Sequence, residues 1–201
     1  MNAMTRACCA AMLLGVTAMP MAHAAVVHDE STDGDLSNDR GAPTQIVLGA
    51  GANDLIGTSG FDGTASFRDY ATFVVPVGAT LTSIKAIEGM EPAVAVSFIG
   101  IQAGPAITVD PNLPNPALLL GWQHVGSVGA GQTLDILTGV TPLGPGTYSL
   151  WIQDFDFGDS AYAFRFELSA PVPEPSTWMT LALGGVFLLG SLSRKYPAVT
   201  R

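Results

Sequence analysis

The sequence predicts an all-β protein whose main part is an antiparallel β-sandwich or jelly roll of about 8–9 strands. Short runs of apolar residues alternate with polar residues at a period of two. Turn residues separate these runs, since the 201-residue chain contains 23 glycines and 14 prolines. No long segment of the middle part shows the helical period. An N-terminal signal helix and a C-terminal transmembrane helix are predicted to flank this sandwich.

The overall charge excludes one large class of function. Lysine and arginine number only 8 against 17 acids, which gives a net charge of −9 and a pI of about 4.4. A nucleic-acid-binding protein needs basic patches on its surface, so we expect no nucleic-acid partner. The hydrophobic share of 48% also argues against a chain that is disordered throughout.

The first 24 residues have the pattern of a secretory signal peptide. Arg6 precedes an apolar run over residues 7–18, and the small residues Ala22 and Ala24 form a small-x-small cleavage site. Cleavage is predicted after Ala24. The alternative is a buried N-terminal helix. Both cysteines of the chain fall inside this segment, so the mature protein is predicted to contain no disulfide and no thiol chemistry.

Residues 25–44 are predicted to form an acidic, flexible lead-in. The stretch combines few apolar residues with His28, Asp29, Glu30, Asp33, Asp35 and Asp39. Such a composition is typical of a solvated segment rather than of a protein core.

The sandwich itself is predicted over residues 45–170. Pro105–Pro116 is predicted to be a surface loop, because it is rich in proline and asparagine. The strand candidates are residues 45–48, 54–58, 70–75, 81–87, 94–102, 118–125, 134–137, 148–153 and 162–168.

The last two strand candidates have the clearest alternation. Period two places one set of side chains on a core-facing side of each strand. This set consists of Tyr148, Leu150, Ile152, Tyr162, Phe164, Phe166 and Leu168. Trp151 falls on the opposite side, where it is exposed unless another sheet covers it.

The C-terminal end combines three features in order. Pro173, Glu174 and Pro175 lie in a proline-rich linker at residues 171–177. Residues 178–193 carry no charge and would span roughly 24 Å as a helix, close to the thickness of a membrane core of about 30 Å. Arg194 and Lys195 begin a basic cytoplasmic tail at residues 194–201. The simplest alternative is a permanent C-terminal anchor.

This arrangement resembles the PEP-CTERM protein-sorting signal of Gram-negative bacteria. In that family a Pro-Glu-Pro motif precedes a transmembrane helix and a short basic end. The resemblance implies that an exosortase recognises and cleaves the chain near the motif. It implies export across the inner membrane, a transient stay in the cytoplasmic membrane and a final place at the cell surface or outside the cell. The six residues after Lys195 make the tail slightly longer than is usual.

A second resemblance concerns the predicted sandwich. The segments Asp69-Tyr70-Ala71-Thr72-Phe73-Val74-Val75-Pro76 and Gly144-Pro145-Gly146-Thr147-Tyr148-Ser149-Leu150-Trp151-Ile152-Gln153 are similar to parts of small β-sandwich domains found on PEP-CTERM proteins. Those domains are themselves similar to bacterial pre-peptidase C-terminal domains. The resemblance implies a non-catalytic accessory or matrix module.

No set of catalytic residues emerges from the sequence. After signal removal two histidines remain, His28 and His124. No serine lies in a Gly-x-Ser-x-Gly turn, no histidine pair has zinc spacing, and no phosphate-binding glycine loop is present. We therefore expect a protein that is not an enzyme, with a hydrolase using His124 as a distant alternative.

One carboxylate cluster predicts a calcium site. If Phe155 and Phe157 point inward, Asp154 and Asp156 share the outer face, and Asp159 in the following turn joins them. The alternative is a polar hairpin whose acids keep a sheet edge soluble. The acids between residues 29 and 39 make a weaker case, because their backbone is expected to be flexible. No other cofactor is predicted.

Two functional hypotheses from different classes remain open. The first is a non-enzymatic exported protein that an exosortase processes and delivers to the cell envelope or the extracellular polysaccharide matrix. The second is an extracellular module that binds glycans or calcium. A glycan would stack on an exposed Trp122 or Trp151.

Overall fold

Ten strands and two short helices form the part of the chain that the structure describes. This computed structural model describes residues 23–61, 66–92, 97–154 and 158–169. The signal segment up to residue 22 and everything after residue 169 lie outside this part. The elements are β1 (Ala25–Asp29), α1 (Glu30–Asp33), β2 (Thr44–Gln45), β3 (Gly51–Phe61), β4 (Ser66–Val75), β5 (Leu81–Ile87), β6 (Ser97–Ala103), a 3₁₀ helix (Pro116–Leu118), β7 (Gly121–Val125), β8 (Thr133–Ile136), β9 (Gly146–Gln153) and β10 (Gly158–Leu168).

The strands form two halves of one largely antiparallel sheet. One half has the order β8-β5-β10-β3, and β1 lies parallel beside β3. The other half has the order β7-β6-β9-β4, and β2 lies parallel beside β4. The antiparallel pairing of β3 with β4, at Gly60 and Phe67, connects the halves. The predicted all-β, antiparallel fold class is confirmed.

Period two in the last strands determines which side chains form the core. β10 pairs with β3 over its full length, from Gly158 opposite Phe61 to Leu168 opposite Gly51. Phe164 and Phe166 are completely buried, and they pack with Leu150 and Ile152 of β9 in the main core. The alternation of these two strands therefore predicted their buried faces correctly.

A second, smaller apolar cluster lies on the other side of β9. It consists of Tyr70, Phe98, Ile107, Val109, Leu119 and Trp151. The chain between β6 and β7 folds over this side, since the amide of Ile107 donates to the carbonyl of Arg40 and the amide of Leu120 donates to the carbonyl of Ile101. Trp151 is only 3% exposed as a result. The expectation of an exposed Trp151 is wrong, because a loop, and not a second sheet, covers it.

The acidic lead-in predicted at residues 25–44 is part of the fold. β1 pairs with β3 from Ala25 opposite Asn53 to Asp29 opposite Ile56. Leu36 is 2% exposed and belongs to the main core. The prediction of a flexible segment is wrong. The pairing of β1 with β3 and the burial of Leu36 attach this segment to the rest of the fold, although its average composition is polar.

The other strand predictions differ from the structure mainly at their ends. The predicted strand at residues 45–48 is reduced to β2, although Ile46 and Leu48 are buried. The predicted strand at residues 118–125 begins only at Gly121, because the 3₁₀ helix precedes it. The strand predicted at residues 81–87 agrees with β5 at both ends.

Candidate functional site

An apolar groove opens on the surface above the second cluster. Trp122 lies on β7, which is the last strand of its half of the sheet, and its side chain is 46% exposed. Its ring stacks on that of Phe98, with a centroid distance of 6.1 Å and an interplanar angle of 24°. Phe98 in turn packs against the buried Trp151 at 4.7 Å. Three aromatic rings thus lead from the interior to the surface.

The loop before β7 forms the opposite wall of this groove. Pro111, Pro114, Pro116 and Leu119 face Trp122 across a cavity of about 210 Å³. Glycine at position 100 makes this packing close, because a Cβ added there would meet Leu119 and Phe98 at 3.0 Å. The groove offers a flat aromatic surface with few polar groups, which suits the apolar face of a ligand ring.

His124 lies at the edge of the same groove. It is exposed on β7, and its ring lies 5.6 Å from that of Trp122 and 6.0 Å from that of Phe98. Both contacts are edge-on. The structure thus gives His124 a place beside a candidate binding surface.

The three residues predicted to bind calcium have different environments. Asp154 is completely buried at the end of β9, and Ser97 donates a hydrogen bond to it at 3.0 Å. Its predicted outward orientation is wrong, because at period two Asp154 follows Leu150 and Ile152, whose side chains lie in the main core. Asp159 is exposed near the start of β10. Asp156 lies outside the described residues, so calcium binding by this trio stays a prediction.

The structure brings a different set of acids together. One carboxylate oxygen each from Glu30, Asp35 and Asp69 lies within 4.8 Å of the other two. Burial, together with the smaller effect of the negative charges of Glu30 and Asp35, raises the pKa of the Asp69 carboxyl to about 8. The pKa of Asp35 is also raised, first by burial and then by Glu30. These shifts indicate a concentration of negative charge at one end of the core.

The sequence contains a pattern that predicts the burial of Asp69. Period two along β4 places Asp69 on the same side as Ala71, Phe73 and Val75, which are all buried in the main core. An acid at a core-facing position requires a partner. Its partners Glu30 and Asp35 were missed because the segment that carries them was expected to be flexible.

The predicted sorting and cleavage residues lie mostly outside the described part of the chain. This holds for Ala22 and for the whole C-terminal set of Pro173, Glu174, Pro175, Arg194 and Lys195. Ala24 is described, and β1 begins at the next residue, so the predicted cleavage would leave β1 intact. Across the residues that the structure does describe, none of the helices has the length and apolar character to cross a membrane.

Comparison with known proteins identifies the C-terminal segment. Residues 171–195 match the family model of the PEP-CTERM protein-sorting motif. The match includes Pro173, Glu174, Pro175, Arg194 and Lys195. The chain therefore carries this sorting motif, as the sequence predicted, and the motif implies export and anchoring in the membrane before processing.

Two solved structures are similar to the chain at low identity. The pre-peptidase C-terminal domain of collagenase from Bacillus anthracis is 16% identical with a TM-score of 0.36, over 63% of this chain and 93% of that one. The periplasmic inhibitor of g-type lysozyme from Salmonella Typhimurium is 13% identical with a TM-score of 0.27, over 63% of this chain and 99% of that one. No curated protein matches the chain.

Proposed function

We propose that this chain is a non-enzymatic exported protein that an exosortase cleaves and delivers to the cell envelope or the extracellular polysaccharide matrix. The observation that carries the proposal is the sorting motif at residues 171–195. In this proposal the all-β part of the chain, called the β-domain below, is the part that is delivered. The C-terminal segment is removed from it.

The chemistry of the segment supports processing rather than permanent anchoring. An apolar helix with a basic end accounts for membrane insertion by itself. It does not account for Pro173, Glu174 and Pro175. Two prolines around an acid disfavour helix and keep the backbone extended. An extended peptide directly outside the membrane is accessible to a membrane-embedded peptidase.

The triple change Pro173→Ala, Glu174→Ala, Pro175→Ala is expected to abolish processing and to leave membrane insertion intact. The reason is that the change removes the extended motif but keeps the apolar run and its basic end. The measurement is the intact mass of the exported protein from an exosortase-bearing host. The unchanged chain should lack residues 178–201, and the variant should retain them.

A matched control is available within the β-domain. Pro114, Asn115 and Pro116 also form a Pro-x-Pro sequence, which lies in the loop before β7. Changing these three residues to alanine should leave processing unaffected. A mature unchanged chain that still contains residues 178–201 in such a host would show a simple anchor and would refute the proposal.

The absence of enzymatic activity is also a proposal. The sequence lacks a Gly-x-Ser-x-Gly turn and a zinc-spaced histidine pair. His124, the residue considered above as a catalytic base, has the aromatic rings of Phe98 and Trp122 as neighbours. This environment favours a role in binding over one in proton transfer.

The groove around Trp122 favours a second candidate function, the binding of glycans. Its half-exposed indole is supported from below by Phe98, so the ring is held in a fixed orientation. Sugar rings have apolar faces that stack on such surfaces. Because the sorting motif implies export, polysaccharide outside the cell is an accessible ligand.

We expect Trp122→Ala to weaken glycan binding by about tenfold or more, since a central tryptophan commonly contributes at least that much to a binding interface. The measurement is binding of the full chain to a glycan array, followed by titration of the best ligand. Phe67→Ala is the control, because Phe67 is a similarly exposed aromatic residue on β4, at 43%. Equal losses in both variants would contradict a specific role for the groove.

A further inference from the structure

The chain leaves the described part of the β-domain at Ser169, and the segment that matches the sorting motif begins at residue 171. Ser169 is attached to the turn between β4 and β5. Its amide donates to the carbonyl of Thr80 at 2.8 Å, and its hydroxyl accepts from the amide of Thr80 at 2.8 Å. These bonds fix the point from which the chain runs to the membrane, because the motif implies anchoring before processing.

Several connections between strands lie at the same end of the sheet as Ser169. The paired residues at the strand ends show this arrangement: Leu168 with Gly51, Leu168 with Leu81, Val75 with Gly146, and Ala103 with Tyr148. The turn at residues 76–80 joins the two halves of the sheet there. We call this region the exit end, and it consists of residues 46–50, 76–80, 103–106 and 142–146 together with Ser169. None of these residues is charged.

The charge of the domain is concentrated away from the exit end. Residues 25–172 have a net charge of −12, from 16 acids and 4 basic residues. Glu88, Glu91 and Asp159 are exposed at the opposite end, after β5 and at the start of β10. The charged residues of β3, β5 and β10 nearest to the exit end are paired with each other: Lys85 with Glu167, and Arg165 with Asp54. An anionic lipid surface therefore repels the exit end least.

Three exposed valines lie at the exit end or directly beside it. Val77 is 89% exposed, Val47 is 77% exposed and Val74 is 47% exposed. Val47 and Val74 line a surface cavity of about 210 Å³ together with Pro76, and Val77 follows Pro76 in the chain. The three side chains thus form one apolar patch, on and beside the turn that holds Ser169. Contiguous apolar surface of this kind indicates an interaction site.

The linker between Ser169 and the predicted membrane-spanning run is short. Residues 170–177 span at most about 28 Å when fully extended, at about 3.5 Å per residue. β10 has 11 residues, so the domain measures about 34 Å along this strand, at about 3.4 Å per residue. The linker is therefore too short for the domain to stand on the membrane with its opposite end. The exit end stays near the bilayer.

We propose that the β-domain docks through Val47, Val74 and Val77 on the phospholipid bilayer that holds its C-terminal anchor. The patch inserts into the headgroup region, which accepts apolar side chains that carry no charge. The acidic end of the domain then points away from the membrane. This inference rests on the membrane anchoring that the sorting motif implies, and it does not depend on exosortase cleavage or on glycan binding.

The patch is strong enough to hold the domain only while the chain is anchored. Burial of three valine side chains corresponds to a dissociation constant of about 1 mM. A short flexible linker gives an effective concentration of the same order, about 1 mM, so about half of the anchored molecules are docked at any time. Without its anchor, the domain at about micromolar concentration leaves the membrane. Docking is therefore reversible and ends when the anchor is removed.

The test is hydroxyl-radical footprinting of the full chain in vesicles of phosphatidylethanolamine and phosphatidylglycerol. Mass spectrometry gives the oxidation rate of Val47, relative to that of Phe67, which is exposed at the opposite end near the start of β4. Val47 should be oxidised about twofold more slowly in the unchanged chain than in the Val77→Asp variant, because a buried charge opposes insertion. No exosortase is present, so a failure of docking is separate from a failure of processing.

Further variants identify what covers the patch. Val47→Asp should accelerate the oxidation of Val77 by the same factor. Leu134→Asp is the matched control, because Leu134 is 46% exposed on β8 outside the exit end, and it should leave both rates unchanged. A Gly-Ser insertion after residue 170 that triples the linker lowers the effective concentration about fivefold and should remove most of the protection.

Three results would overturn the proposal. The first is equal oxidation of Val47 in the unchanged chain and in Val77→Asp. The second is protection that survives the longer linker, which would show that the patch is covered within the β-domain itself. The third is protection that increases with the protein-to-lipid ratio, which would show docking between two copies of the chain. Circular dichroism in the far ultraviolet confirms that each variant is folded.

Discussion

Trp151→Ala is expected to lower the free energy of unfolding by about 3–5 kcal/mol, the usual cost of removing a large buried aromatic side chain. Trp151 is 3% exposed and contacts Phe98 and Tyr70 in the second cluster. Its indole Nε1 also donates to Oε1 of Gln153 at 3.1 Å. Truncation leaves a cavity under the loop before β7, and that loop cannot collapse fully into it. The measurement is denaturant unfolding of the full chain, followed by far-UV circular dichroism.

Trp122→Ala provides the matched control for this prediction. The same kind of side chain is removed from β7, in the same half of the sheet, but Trp122 is 46% exposed and does not belong to the second cluster. Its loss should cost about 1 kcal/mol or less, because little area is taken from water and no closed cavity forms. If both variants lose the same stability, Trp151 is not covered by the loop and the second cluster does not exist in solution.

Leu36→Ala is expected to lower the free energy of unfolding by about 2–5 kcal/mol, the range for a buried leucine. Leu36 is 2% exposed and packs into the main core from the acidic segment that precedes β2. The decrease in the free energy of unfolding therefore shows directly whether this segment is attached to the domain. Denaturant unfolding of the full chain gives the value.

Val26→Ala is the control within the same segment. Val26 is 57% exposed on β1, so its change should cost less than about 1 kcal/mol. A Leu36→Ala variant that unfolds at the same denaturant concentration as the unchanged protein would support the original expectation of a flexible segment.

The candidate sites show where sequence reasoning was limited. The groove was predicted in part, because Trp122 was identified as a stacking residue, but its second wall comes from a loop that was expected only to lie on the surface. The acidic cluster was missed as a unit. The sequence makes the acids between residues 29 and 39 only a weak case for cation binding, and Asp69 enters only through the segment that is similar to other β-sandwich domains. Nothing in the local sequence indicates that Glu30 of α1 lies close to the first half of β4.

The sequence by itself determined the all-β class, the buried faces of β9 and β10, and the sorting motif at residues 171–195. Each of these depends on a pattern within a short stretch of sequence, namely an alternation at period two or a short motif beside an apolar run. Only the tertiary structure decided that Trp151 is covered, that Leu36 joins the core, and that Asp69 meets Glu30. These outcomes depend on contacts between segments far apart in sequence, and composition averages over a segment cannot show that one leucine or one acid is buried.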